Sequence, residues 1–356
     1  MPPPDLAIPD TEHCLCNRMS ERHPNCDQSE ETALFLGIDV GGTNVKLGLV
    51  DANGTIQAKD STATPPLGTP QRVFEYAMQF ATANLARLGR DKNLTAVGLA
   101  VPGVLDSREH VLREVVNLPG WLDQPLKKIL FDTTQLPAAV INDANAAAYA
   151  EHTMRALGSQ SLALVTLGTG IGCGVVGQGV PFGGDHGCAG ELGHIAIRFG
   201  DDALPCTCGS RGHLESYAGA AGVIARLRKR IDQHDSASVP SSLLEENVTP
   251  RDIAEAAADG CEVCQTVIDD TGQFVGQAIG LLGQVLDPAV VLLGGAMTFG
   301  GNETETGRRF LETVRDAVKQ TTLVQVGGNI IIEFASLGND AGVLGGAMVA
   351  KQVYQN

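Results

Sequence analysis

LFLGIDVGGTNVKLGLVD, residues 34–51, reads as two β-runs joined by a tight turn of Gly41, Gly42, Thr43 and Asn44. Glycine-rich reversals of this kind close antiparallel strand pairs. Here the turn leaves Asp39 at the end of the first strand. Glycines let backbone N–H groups approach a phosphate with no Cβ in the way, and Thr43 and Asn44 add donors. Asp39 is a hard oxygen ligand suited to a hydrated Mg2+ on such phosphates. The same pattern returns at LALVTLGTGIGCGVVGQG, residues 162–179, where Gly168, Thr169 and Gly170 offer a second cradle. Two glycine-turn hairpins, each opening a β-rich half, point to an internal duplication.

Two other phosphate-binding solutions drop out. Gly172, Gly174 and Gly177 spell a formal G-x-G-x-x-G, but a β-run continues through them where a dinucleotide-binding fold opens a helix. No G-x-x-x-x-G-K-[ST] sequence occurs, which removes P-loop chemistry.

Outward from the hairpins, strands and helices alternate. DANG closes the first pair and leads into a third strand, TIQAKDSTAT. Residues 71–89 place Val73, Tyr76, Ala77, Phe80, Leu85 and Leu88 at helical spacing. TAVGLAVPG and PAAVIND are further strands, the latter entering the helix ANAAAYAEHTMRAL. After the second hairpin come helical stretches, the strands DPAVVLLGG and NIIIEFASLG, and a closing helix, AGVLGGAMVAKQVY. The expected architecture is α/β with two lobes about a central cleft. Residues 1–32 form a Pro-rich, aperiodic tail whose scattered Cys and His residues have no apolar frame to position them. Residues 33–143 form a small lobe completed by the C-terminal helix 339–356, and residues 144–338 a large lobe.

Composition narrows the function. A formal net charge of −16 disfavours nucleic acid and anionic membranes as partners, and leaves phosphates to be held by local devices. No apolar run approaches membrane-span length, and the N-terminus lacks the basic start and apolar core of a secretory signal. Nine cysteines in uneven spacing suit a reducing compartment. The cytoplasm is the expected location.

GELGHIAIRFGDDALPCTCGSRGHLE, residues 190–215, carries the densest chemistry. His194, Cys206, Cys208 and His213 are the four ligands of a tetrahedral zinc site, with no position left for water, so the metal is expected to be structural. Glu191 and Glu215 bracket the segment as acceptors for a hydroxyl-rich ligand. Elsewhere, Asp143 ends a strand and enters a helix. A carboxylate there can take the proton of an attacking hydroxyl, or cap the helix, or both. Asn117 lies in the Pro-Gly turn NLPGW beside the only tryptophan, Trp121. Cys261 and Cys264 read as packing residues inside a helix.

GIDVGGTNVK, GLAVPGVLD, NLPGW, INDANAAA, TLGTGIG, GELGHI, CTCGSRGHLES and LGNDAGVLGGA occur in the order found in the ROK (repressor, open reading frame, kinase) family. Over residues 33–350 the chain resembles its sugar kinases, and most of all the bacterial ATP-dependent glucokinases. The resemblance implies an actin-like ATPase fold, a duplicated ribonuclease H-like architecture, often in a homodimer. It implies Asp143 as catalytic base, and Asn117, Asn142, Glu191, His194 and Glu215 on the sugar hydroxyls. Asp39, Gly41, Gly42, Thr43, Gly168, Thr169 and Gly170 match the phosphate loops, and Gly294 and Gly295 the turn near the adenosine. His194, Cys206 and Cys208 match zinc ligands, whereas His213 stands where the family usually has cysteine. The expected reaction moves the γ-phosphoryl of MgATP to the 6-hydroxyl of glucose. The rivals are kinases for fructose, N-acetylmannosamine or N-acetylglucosamine, polyphosphate as donor, a sugar-responsive repressor, and a non-catalytic sugar-binding protein.

Overall fold

The computed structural model describes residues 32–89, 93–106, 108–115, 117–233 and 239–355. The tail, apart from Thr32, therefore lies outside the described residues. The first half contains strands β1 (Ala33–Val40), β2 (Asn44–Asp51), β3 (Ile56–Ala63), β4 (Asn93–Val101), β5 (Val104–Asp106), β6 (Val111–Glu114) and β7 (Ala138–Asn142). Its helices are α1 (Pro70–Leu88) and α2 (Leu126–Thr134). Helix α3 (Asp143–Met154) leads into β8 (Leu162–Leu167), β9 (Ile171–Gly177) and β10 (Val180–Pro181). Then follow α4 (Leu214–Ala218), α5 (Ala220–Gln233), α6 (Pro250–Ala258), α7 (Glu262–Leu286) and β11 (Val290–Gly294). The chain closes with α8 (Glu305–Thr321), α9 (Val324–Gly327), β12 (Ile331–Phe334) and α10 (Ala341–Gln355).

The duplication is structural. One five-stranded sheet runs β3-β2-β1-β4-β7 and the other β10-β9-β8-β11-β12, so each orders its own strands third, second, first, fourth, fifth. In both, a hairpin meander (β1–β2–β3, β8–β9–β10) is antiparallel, and the last two strands add in parallel. Parallel addition after a crossover aligns the C-terminal ends of β1, β4 and β7 on one edge, and those of β8, β11 and β12 on another. Ligands of such sheets bind outside those ends.

Helices α10 and α3 lie stacked between the sheets, and glycine makes the stack possible. A Cβ on Gly98 of β4 would sit 1.8 Å from the Gly346 carbonyl oxygen of α10. One on Gly345 would sit 2.0 Å from the Ala146 oxygen of α3, and one on Gly174 of β9 2.0 Å from the Ala144 oxygen. Backbone thus meets backbone through the whole layer, which explains why ANAAAYA and AGVLGGAMVA carry so little side-chain bulk. The N-terminus of α3 inherits that rigidity.

Three local details differ from the sequence reading. Helix α3 begins at Asp143, and Asn142 is its cap: the Asn142 Oδ1 accepts the Asn145 N–H at 3.1 Å. Cys261 is the N-cap of α7 and Cys264 lies in its first turn, so the pair is not internal to the helix. The stretch 301–328, unassigned from spacing above, holds α8, whose Phe310, Val314, Ala317 and Val318 are buried on one face. That face was legible at i, i+4, i+7, i+8. Among the described residues no helix is long and apolar enough to cross a membrane.

Candidate active site

The two hairpin turns are built for close approach. In the first, the Gly41 N–H donates to the Asn44 oxygen at 2.8 Å, and the Thr64 hydroxyl bonds the Gly41 oxygen at 2.6 Å. Asn117, held in the left-handed region at φ 65°, packs against this turn: a Cβ on Gly42 would lie 2.9 Å from its own Cβ. In the second, the Gly168 N–H donates to the Gly170 oxygen at 3.0 Å. The Glu215 carboxylate accepts the Ile171 N–H at 2.9 Å beneath it, where a Cβ on Gly170 would come within 2.5 Å of Glu215 Oε2. The Ala220 N–H adds a bond to the Gly168 oxygen at 3.0 Å. Glu215 therefore carries the second turn through Oε2.

Carboxylates from separate segments converge between the turns. Asp39, at the end of β1, lies under Gly342 of α10 and meets Lys46 Nζ at 3.4 Å. Burial pushes its carboxyl above the ordinary value against the pull of Lys46. Asp143, first residue of α3, accepts the Ala144 N–H at 2.8 Å. Burial raises it as well, and the charges of Asp39 and Glu191 push it the same way while the Ala144 N–H opposes them. Glu191 is raised by burial and by Glu114 and Glu215, and His194 opposes this. Mutual repulsion of this kind places Asp39, Asp143, Glu191 and Glu215 in one electrostatic environment. It also brings in Glu114 of β6, which no motif singled out because a lone Glu in a short strand has no pattern. Asn142 is more committed: besides capping α3, its amide donates to the Gly103 oxygen at 3.1 Å.

Beside the second turn lies a cavity of about 600 Å3 walled by Gly294, Gly295, Thr166 and Ala147 on one side and by Phe334, Ala335, Gly338 and Asn339 on another. Gly295, at φ +90°, lets the chain leave β11 with its Cα against the Leu167 carbonyl, which a Cβ would approach to 2.3 Å. The cavity's volume lies in the range of small-molecule sites.

The sulfur and imidazole residues also come together. Ligand atoms of His194, Cys206, Cys208 and His213 all lie within 4.8 Å of one another. His194 Nδ1 is 3.8 Å from the Cys206 sulfur and His213 Nδ1 3.3 Å from the Cys208 sulfur. Tetrahedral zinc, with bonds of about 2.0–2.3 Å, needs ligand separations of roughly this size, and two thiolates with two imidazoles are a set it takes. The backbone pre-forms the loop: Cys206 N–H donates to Ser210 O at 2.8 Å and Gly212 N–H to Leu204 O at 2.8 Å. The Ser210 N–H lowers the Cys208 thiol toward the thiolate a metal requires.

The chain is similar to known proteins over most of its length. The ROK family model matches residues 35–353. The glucokinase of Halalkalibacterium halodurans is 31% identical over 321 residues, covering 89% of this chain and 95% of that protein. Among solved structures, a ROK hexokinase from Thermus thermophilus is 31% identical with a TM-score of 0.72, covering 90% of this chain and 99% of that one. A ROK family glucokinase from Streptomyces griseus, in complex with glucose and AMPPNP, is 27% identical with a TM-score of 0.70 over the same shares. The duplicated sheets about a cleft are the two-lobed actin-like ATPase fold of those kinases. With the match running through both hairpin turns, the Asp143 junction and the Cys/His loop, the chain belongs to the ROK family.

Proposed function

We propose that this protein is a glucokinase, transferring the γ-phosphoryl group of MgATP to the 6-hydroxyl of glucose. The observation that carries the reading is Asp143: a largely buried carboxylate on a rigid helix N-terminus, among the sugar-facing carboxylates and between two glycine turns. Sugar hydroxyls go to Asn117, Asn142, Glu191, His194 and the free oxygen of Glu215. Phosphates go to the backbone of Gly41 to Asn44 and of Gly168 to Gly170, and the adenosine to the cavity beside Gly294 and Gly295. As the O6–P bond forms and the bond from the γ-phosphorus to the bridging oxygen breaks, Asp143 accepts the O6 proton and ADP leaves. A sugar hydroxyl is too weak an acid to ionise first, so the base acts as the bond forms. Mg2+, held near Asp39, would supply charge neutralisation on the phosphates. Zinc on His194, Cys206, Cys208 and His213 would fix the loop and the ring of His194. Exposed Leu281 and Val285 on α7, with Leu323 and Val324 at the start of α9, support a homodimer. ATP and free hexose as substrates support a cytoplasmic setting.

The test is ADP release across glucose, fructose, mannose, N-acetylmannosamine and N-acetylglucosamine, with ATP and with polyphosphate as donor. Glucose with ATP is expected to give the highest kcat/KM. A preference for another sugar would reassign the substrate, and no turnover on any sugar would sink the kinase reading in favour of a sugar-binding regulator.

A further inference from the structure

One buried carboxylate has no part in the chemistry above. Glu151 lies on α3, its side chain fully shielded from solvent, and it lines the 600 Å3 cavity. Its oxygens accept the Ser336 N–H at 2.6 Å, the Leu337 N–H at 2.7 Å, the Ser336 hydroxyl at 2.9 Å and Arg155 Nε at 3.1 Å. Arg155 extends the grip to Glu333 at 2.9 Å and to the Phe334 oxygen at 3.3 Å. Every contact except Arg155 is to the segment between β12 and α10, whose Ala335, Gly338 and Asn339 line the cavity together with Phe334 at the end of β12.

A carboxylate with no water must find donors in the protein, and two successive backbone N–H groups give it a fixed direction. The segment leaves β12 at Phe334, where the Ala335 N–H still bonds the Leu293 oxygen of β11 at 2.8 Å, and its next two N–H groups, of Ser336 and Leu337, go to Glu151. Glu151 follows Asp143 by eight residues on the same helix, about 12 Å along its axis at 1.5 Å per residue. Helix α3 is locked against α10 and β9 by backbone contact. It therefore works as a ruler with the reacting carboxylate at one end and the cavity wall tied to it two turns on.

We propose that Glu151 is a positioning residue of the nucleotide site, holding the Ser336–Leu337 segment so that the adenosine cavity stands in fixed register with Asp143. This rests on the kinase reading above, since it takes the cavity as the adenosine site. The role is sharper than general stability, because it acts on one wall of one site. The sugar-facing residues are anchored elsewhere, by the Cys/His loop and the Ile171 contact.

Calorimetric titration of the full-length protein with ADP, and separately with glucose, tests it. Glu151→Gln keeps the shape but loses acceptor capacity, and is expected to weaken ADP binding about tenfold while glucose binding stays within about twofold. Ser336→Ala, which removes one donor, should shift ADP the same way by a smaller factor. An unchanged ADP affinity in folded Glu151→Gln protein, or equal losses for ADP and glucose, would overturn the proposal. Should Glu151→Gln not fold, Ser336→Ala and Arg155→Gln carry the test, and unchanged ADP affinity in both refutes it. Wild-type protein that binds neither ADP nor glucose would instead remove the kinase reading on which it stands.

Discussion

As the proposed base, Asp143 would concentrate the trade between stability and chemistry. Its folded-state proton affinity is raised, chiefly by burial, so folding favours the protonated form. A group of that kind stabilises the fold below its unfolded pKa and loses that contribution as pH rises through its folded pKa. At neutral pH the ionised carboxylate is therefore a net cost. Asp143→Asn should lower kcat by about 10²–10⁴-fold and yet raise the melting temperature at pH 7. The gain should vanish below the ordinary aspartate pKa of about 3.9, and calorimetry as a function of pH reads it directly. A variant less stable than wild type at pH 7 would contradict this account. In the wild type, kcat/KM should fall as pH drops through the raised pKa of Asp143, so activity is lost above the usual carboxylate range. The place of Asp143 at the start of a helix was legible from a strand–helix junction. That Asn142 and not Asp143 caps the helix was not, because both residue types cap well and only the backbone shows which side chain reaches the Asn145 N–H.

The elements most open to test are the Cys/His loop and the helix layer. Pure protein should contain about one zinc per chain, released by chelator together with proton uptake by the thiolates. Chelation should expose the 199–212 segment to protease and, by loosening Glu215, raise the glucose KM. His213→Cys should slow metal loss, since it replaces an imidazole by a thiolate. Equal release rates would mean that His213 does not ligate. In the helix layer, Gly98→Ala forces a Cβ into the Gly346 carbonyl and should cost about 3 kcal/mol by denaturant titration. Strand and helix alternation gave these elements away through spacing, but the reason for their glycines did not show. A glycine in a strand marks a bulge, a turn or a close approach, and only the neighbouring layer says which.

Across the whole molecule, the two sheets meet through α3 and α10, so a ligand held by both halves should couple to their relative movement. Trp121, the only tryptophan, is fully buried against Phe74 with ring centroids 5.9 Å apart, four residues from Asn117 at the first turn. Glucose should therefore change its emission, and Asp143→Asn should keep that response while losing turnover. An unresponsive spectrum at saturating glucose would place the sugar away from the first turn. The sequence by itself determined the α/β class, the duplication, both glycine turns, the strand–helix junction at Asp143 and the four-residue Cys/His cluster. Each of these is written in neighbouring residues, as a period, a turn or a short spacing, and local stereochemistry acts over that range. Tertiary structure alone decided that both sheets share one strand order. It also placed Glu114 beside Glu191, set Glu215 under the second turn, and made α10 the layer between β4 and α3. Most decisively it tied Glu151 to Ser336 and Leu337 across 185 and 186 residues of chain. Such contacts come from how separate segments pack, and a buried carboxylate shows its purpose only once the donors around it are in place.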